Sequence, residues 1–284
     1  MAESGRSRGA RVLAETALVR VLWNLRDSQI RPIVLGGLVP DVLVAGVEPP
    51  PPAHVGTNDV DLFVELGVFG DDTTTLTLIE DALRSAGFLP DAPVGGAWRW
   101  RGEVDGALVK VELLSQRTDG VNEAVTLSPS GQLGVFNLRG TGYVARDHER
   151  HALTGHLPDG SEVSIEIEFA GLQGYLLAKL CAARARGLDR DFYDLVYVLL
   201  HNRLGGPAAA GHAIREGAFR DDLPSLRSTL REIRERFRSA SDAGPTGYAT
   251  EARQTEIVAS EADLRADAVG AVIAFLDAIE AHRV

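Results

Sequence analysis

The hydrophobic pattern of this chain changes period near Ala170, and that change constrains the fold more than any other feature of the sequence. Before it, short apolar runs are separated by glycine, proline and charged turns, as strands are; after it, apolar residues recur at helical spacing. Residues 33–35, 60–64, 98–101, 107–114, 133–138, 143–146 and 163–169 read as strands, with 98–101 and 107–114 forming a hairpin around Gly102 to Gly106. Helices are expected over 10–28, from about Leu38 with Pro40 in the first turn, and over 74–86, ended by Gly87. The second half reads as helices over 171–186, 189–202, 223–237 and 261–281, with 205–211 and 239–247 as breaks rich in small residues. Four consecutive prolines, Pro49 to Pro52, call for an extended and exposed connection. The expected architecture is α+β: a mixed-sheet domain over residues 1–169, then a helical domain over 170–284.

Composition narrows the functional classes. With 284 residues, 45% hydrophobic and 24% charged, the chain is long enough to bury a sizeable core and is neither collagenous nor disordered. Its longest apolar run, Leu195 to Leu200, is far shorter than the roughly 20 residues of a membrane span. The basic start, Met1 to Arg11, has no apolar stretch behind it, so no secretory signal is expected. The single cysteine, Cys181, cannot close an internal disulfide, which fits a cytoplasmic location. A net charge of −11 disfavours a protein that coats nucleic acid non-specifically, but leaves room for a local basic face. Only Lys110 and Lys179 are lysines among 29 basic residues. Against that arginine background a lysine marks either chance or a place that suits a compact ammonium better than a planar fork.

Chemistry concentrates in Gly56-Thr57-Asn58-Asp59-Val60-Asp61-Leu62. Two aspartates one residue apart on a strand project from the same face. Side by side, two carboxylates either share a proton or bind a cation, and an oxygen-only set suits Mg²⁺ beside substrate phosphates. Upstream, Gly36-Gly37 falls where a strand gives way to a helix, so backbone N–H groups there can approach a phosphate. Downstream, Lys110 and Glu112 share one face of a strand, and Glu112 supplies a third carboxylate if that strand lies near the first. The bland readings are an exposed acidic strand edge and an ordinary diglycine turn.

The ordered set of a Gly-Gly turn, an acid-x-acid strand and a later strand acid resembles the signature of the nucleotidyltransferase superfamily, the polymerase-beta-like fold, over residues 31–115. Within it the chain is similar to the AbiEii/AbiGii-type toxins of type IV toxin–antitoxin systems. That finer likeness lies in Tyr175-Leu176-Leu177-Ala178-Lys179-Leu180, Arg184, and Arg190-Asp191-Phe192-Tyr193-Asp194-Leu195. Two features depart from the pattern: a long Gly37-to-Asp59 interval, and Glu where Asp is commoner as third acid.

The resemblance implies a nucleotidyltransferase (EC 2.7.7 class) that moves a nucleoside monophosphate from an NTP to an acceptor. Asp59, Asp61 and Glu112 would hold Mg²⁺ (or Mn²⁺). Gly36, Gly37 and Thr57 would seat the phosphates. Lys179 would neutralise the triphosphate or lie against the nucleotide, and Asp191 and Asp194 would orient Lys179 or touch base and ribose, with Arg184 beside them. The implied acceptor is RNA, in particular the 3′ end of tRNA, and the implied partner a cognate antitoxin, with no membrane. Small-molecule (aminoglycoside-type) or protein nucleotidyl transfer, and a catalytically silent nucleotide-binding module, are the alternatives.

Other motifs are discounted. Gly140-x-Gly142-x-x-Ala145 matches a loose dinucleotide fingerprint without the strand–turn–helix context. His148, His151 and His156 read as surface histidines in a polar stretch, and Cys181 as a core residue. The arginines from Arg227 to Arg238 read as a solvated helix face with local ion pairs or, more sharply, as a basic ridge for an RNA backbone. Trp98 to Arg101 offers either a base-stacking surface or a strand with one buried tryptophan.

Overall fold

The computed structural model describes residues 6–65, 73–91, 96–117, 122–127, 132–255 and 257–281. The fold is α+β, a mixed sheet with helices followed by a helical C-terminal part. The chain divides into two compact units, Met1–Val39 with Gly56–Ala170, and Pro40–Val55 with Gly171–Val284. The proline-rich segment therefore groups with the C-terminal helices. Among the described residues no helix is long and apolar enough to cross a membrane.

The first unit opens with α1 (Arg8–Trp23), whose N-cap Ser7 accepts a hydrogen bond from the Ala10 amide at 3.1 Å. Its sheet holds β1 (Ile33–Leu35), β2 (Asp59–Phe63), β3 (Leu89–Pro90), β4 (Arg99–Val104), β5 (Ala107–Ser115), β6 (Glu123–Thr126), β7 (Gly134–Asn137), β8 (His148–His156) and β9 (Glu162–Ala170). The order is β3-β4-β5-β2-β1-β9-β8, with β7 also pairing with β5 and β6. β2 runs parallel to β5 and antiparallel to β1, and β1 runs parallel to β9. A short 3-10 turn (Gly36–Leu38) follows β1, α2 (Val39–Leu43) carries the chain out of this unit into the second, and α3 (Thr73–Ser85) lies between β2 and β3 in the chain. Trp100, Val60, Val111 and Phe88 are fully buried, so one face of β2, β4 and β5 is core. The other face carries the charged residues of those same strands, as strand alternation requires.

Two local expectations are corrected. Residues 143–146 lie in a 3-10 turn (Thr141–Arg146), because Gly140, at φ 96°, bends the chain out of the extended path. The polar stretch with three histidines is β8, paired with β9 along its whole length. As an edge strand it keeps mostly polar, exposed side chains and shows no apolar alternation. Glu168 on β9 faces His148 (3.1 Å) and Arg150 (2.9 Å); burial works against its ionisation, but those two partners outweigh it and hold the carboxyl below its usual range.

The second unit contains α4 (Leu172–Arg186), α5 (Asp189–His201), α6 (Pro207–Glu216), α7 (Leu223–Arg236), α8 (Ala243–Ala252) and α9 (Glu261–Glu280). Two of these, α6 and α8, begin inside stretches that read as breaks, 205–211 and 239–247. Their small residues are close-packing positions: a side chain at Gly211 would strike the α9 backbone at Phe275 and the Ala278 methyl, and one at Gly244 would strike the Phe237 ring. Pro207 sits in the first turn of α6, where its missing N–H costs nothing.

Candidate active site

Strand register assembles the charged face of the first unit. Asp59 lies opposite Lys110 and Asp61 opposite Glu112 across the parallel β2–β5 pair. Arg99 lies opposite Glu112 and Arg101 opposite Lys110 across β4–β5. Neighbouring strands are about 4.8 Å apart, so these side chains stand in adjacent rows on one surface. Asp59 and Asp61 alternate with buried Val60 and Leu62, and each is partly exposed. Lys110 places its Nζ 4.0 Å from Asp59 Oδ1, so the lysine beside the third acid offsets charge within the acidic row.

The diglycine turn is shaped around these acids. Gly36 has φ +68°, a region that favours glycine, and a Cβ there would occupy the position of the Asp61 carboxylate. The turn and Asp61 thus fit together only because residue 36 has no side chain. A Cβ at Gly37 would press on Thr57, which is buried and whose Oγ1 accepts a 3.3 Å hydrogen bond from the Asp59 amide. Gly56, at φ +92°, leaves room for the Ser7 backbone, and the Arg6 guanidinium donates to the Gly56 carbonyl at 2.9 Å. The start of α1 therefore lies against the loop that carries Thr57. The helix after the glycines has five residues, so its dipole is smaller than a full helix would offer, and any phosphate there depends on backbone N–H groups.

Glu112 meets a partner the spacing did not announce. Its Oε1 accepts from Arg99 Nε at 2.7 Å, and the Arg99 guanidinium also lies 4.4 Å from the Trp98 ring centroid. Trp98 in turn packs on Phe136 at 4.9 Å, while Trp100 is buried and donates to the Ala97 carbonyl. Among the described residues no group of three or more His, Cys, Asp or Glu is gathered to hold a metal ion. The donor chemistry of Asp59 and Asp61, with the Gly36 cradle, fits a hard divalent cation. Glu112, opposite Asp61 in the register, is held by Arg99.

The second unit holds the other sequence-derived residues in a buried polar network. Lys179 Nζ lies 2.7 Å from Asp194 Oδ2 and 3.7 Å from Asp191 Oδ1. Asp191 also receives the Arg186 fork, at 2.6 and 3.1 Å, and Asp194 Oδ1 pairs with His54 Nε2 at 3.0 Å. Asp191, Asp194 and His54 are essentially inaccessible. Tyr197 Oη and Tyr193 Oη bind the Pro52 carbonyl and the Val55 amide, which ties the segment containing His54 to α5. Arg184 points elsewhere, to Ser228, Thr229 and Glu232 on α7, and so links two helices. Arg186 and His54 carried no signal in the sequence as members of this cluster, since neither belongs to the motif spacing.

No family model matches the chain, and no curated protein matches it. It is similar to the solution structure of the antibiotic-resistance factor ANT(2″)-Ia, at 12% identity and a TM-score of 0.39, over 75% of this chain and 95% of that one. It is also similar to the crystal structure of ANT(2″)-Ia in complex with adenylyl-2″-tobramycin, at 11% identity and a TM-score of 0.34, over 77% of this chain and 97% of that one.

Proposed function

We propose that the protein is a nucleotidyltransferase that moves a nucleoside monophosphate from an NTP to an acceptor hydroxyl, with Asp59 and Asp61 as the cation-binding pair. The observation that carries this reading is the β2–β5 register, which sets Glu112 opposite Asp61, together with Gly36, whose missing side chain makes room for the Asp61 carboxylate. Asp59 and Asp61 would hold Mg²⁺ or Mn²⁺, which supplies charge neutralisation on the triphosphate when bound. Gly36, Gly37 and Thr57 shape the backbone that seats the phosphates. The acceptor oxygen forms a bond to the α-phosphorus, the α–β phosphoanhydride bond breaks, and pyrophosphate leaves. Glu112, once released from Arg99, takes the hydroxyl proton. Within the second unit Asp191 and Asp194 act as positioning groups for Lys179, the residue we assign to the nucleotide, and Arg184 acts as a helix tie.

The acceptor we favour is RNA, at a tRNA 3′ end, with a toxin role and a cognate antitoxin as its setting. Transfer to a small molecule of aminoglycoside type is the competing acceptor reading. A silent nucleotide-binding module is favoured by one observation, the Arg99 guanidinium on the third acid. The experiment supplies each α-labelled NTP with Mg²⁺, total RNA and an aminoglycoside panel, with Asp61→Ala as control. Label entering RNA with the parent protein alone supports the favoured reading, and label entering a small molecule moves the acceptor. Label on neither, with NTP still bound, establishes the silent module.

A further inference from the structure

In the second unit, the arginines fall into two groups. Arg184, Arg186, Arg215, Arg234, Arg238, Arg253 and Arg265 are paired with side-chain acceptors, and Arg236 binds the Ala183 and Arg184 carbonyls at the end of α4. Arg190 and Arg203 have partners as well. Among the described residues of this unit, Arg220, Arg227 and Arg231 are the arginines with no side-chain hydrogen bond or ion pair, and all three line one groove of about 970 Å³. Arg227 and Arg231 are one turn apart on α7, about 6 Å along the axis. Arg220 lies in the 3-10 turn just before α7. The two acids on the groove are already engaged, Glu216 by Arg215 at 2.9 Å and Glu280 by Arg234 at 2.7 Å. The groove therefore keeps a local excess of three guanidinium charges in a chain of net charge −11.

We infer that this groove is a docking surface for the phosphodiester backbone of RNA. Three exposed guanidinium groups without a carboxylate partner give the groove a local positive potential in a molecule of net negative charge, which attracts a polyanion. Guanidinium forks suit phosphate oxygens bidentately. The lining favours a backbone over an amphipathic peptide: Leu230 and Ile279 are already buried, Leu223 and Pro224 are accessible apolar residues, and no aromatic residue lines the groove, so guanidinium charge outweighs apolar surface. Recognition there is electrostatic and independent of base identity. The surface deepens the acceptor reading given above and rests on it for its role, but its existence is separable from catalysis.

The test measures binding of a fluorescein-labelled, mixed-sequence single-stranded RNA to the full chain by anisotropy, without NTP or divalent ion, from 50 to 200 mM salt. Three phosphate contacts on a single strand give a log–log salt slope of about −2. The triple variant Arg220→Ala, Arg227→Ala, Arg231→Ala lowers affinity at least tenfold at low salt and flattens the slope. The triple lysine variant keeps most of both, and Asp61→Ala binds RNA as the parent does, which separates this surface from the transfer chemistry. Affinity and slope unchanged in a folded alanine triple variant overturn the proposal. So does poly-glutamate binding more tightly than RNA in the parent and losing that binding in the variant, which assigns the groove to an acidic protein segment.

Discussion

At Gly36 two constraints coincide, a positive φ and the Asp61 carboxylate occupying the place of a side chain. Gly36→Ala must bear about 1–2 kcal/mol of left-handed strain and also displace Asp61. We expect stability to fall by about 2 kcal/mol in urea unfolding, and nucleotide-dependent Mn²⁺ binding to be lost; retention of both would mean that the turn and the acid are unrelated. Asp59, Asp61 and the diglycine were legible because their positions are local, a period-two strand and a turn whose residues announce it. Arg99 was not, because the hairpin loop was read as Gly102 to Gly106, whereas the turn is Asp105-Gly106 alone, and that tight turn fixes the register that sets Arg99 opposite Glu112. Lys110 is intermediate: its rarity marked it, and the register supplied Asp59 as its neighbour.

At the scale of elements, α4 and α5 are joined by charges inside the helical unit. Asp194→Ala leaves Lys179 and His54 buried without their shared carboxylate. Breaking such a pair costs about 3–5 kcal/mol, measurable by urea unfolding; a loss under 1 kcal/mol would show that the network carries no structural weight. Tyr248 on α8 stacks on Tyr193 of α5 at 5.8 Å, and burial, aided by the Asp267 charge, pushes its phenol up to about 12. A folded-state value above the unfolded value of 10.0 means stability is complete below about pH 10 and declines as pH rises toward 12. Tyr248→Phe should remove on the order of 2 kcal/mol of that alkaline loss in denaturant titrations at pH 9 and 11.5; identical slopes in both proteins would contradict the assignment. Helices α4, α5, α7 and α9 were readable from periodicity. The pair α6 and α8 was not, since alanine and glycine chosen for close packing look like loop composition when the partner helix is unseen.

For the molecule as a whole, the sheet-then-helices order was visible in the change of period near Ala170, but the route of the chain was not. Pro40–Val55 leaves the sheet unit, contributes His54, Pro52 and Val55 to the helical one, and Gly56 resumes the first. A proline-rich stretch has no periodicity to say which surface it packs on, so its destination is settled by contacts such as Tyr197 to Pro52 that only the folded chain brings together. Electrostatics at this scale follow the same logic: the formal charge of −11 is global, while the arginine excess at one groove emerges only once the other arginines have found their acids. The central claim remains the carboxylate pair on β2 beside the glycine turn. Its most direct measurement is Mn²⁺ binding, followed by electron paramagnetic resonance with a non-hydrolysable NTP, for the parent and for Asp61→Asn. The account predicts tight, NTP-dependent binding in the parent, weakened at least tenfold in a variant whose thermal unfolding is unchanged. Equal Mn²⁺ affinity in the two proteins would contradict it.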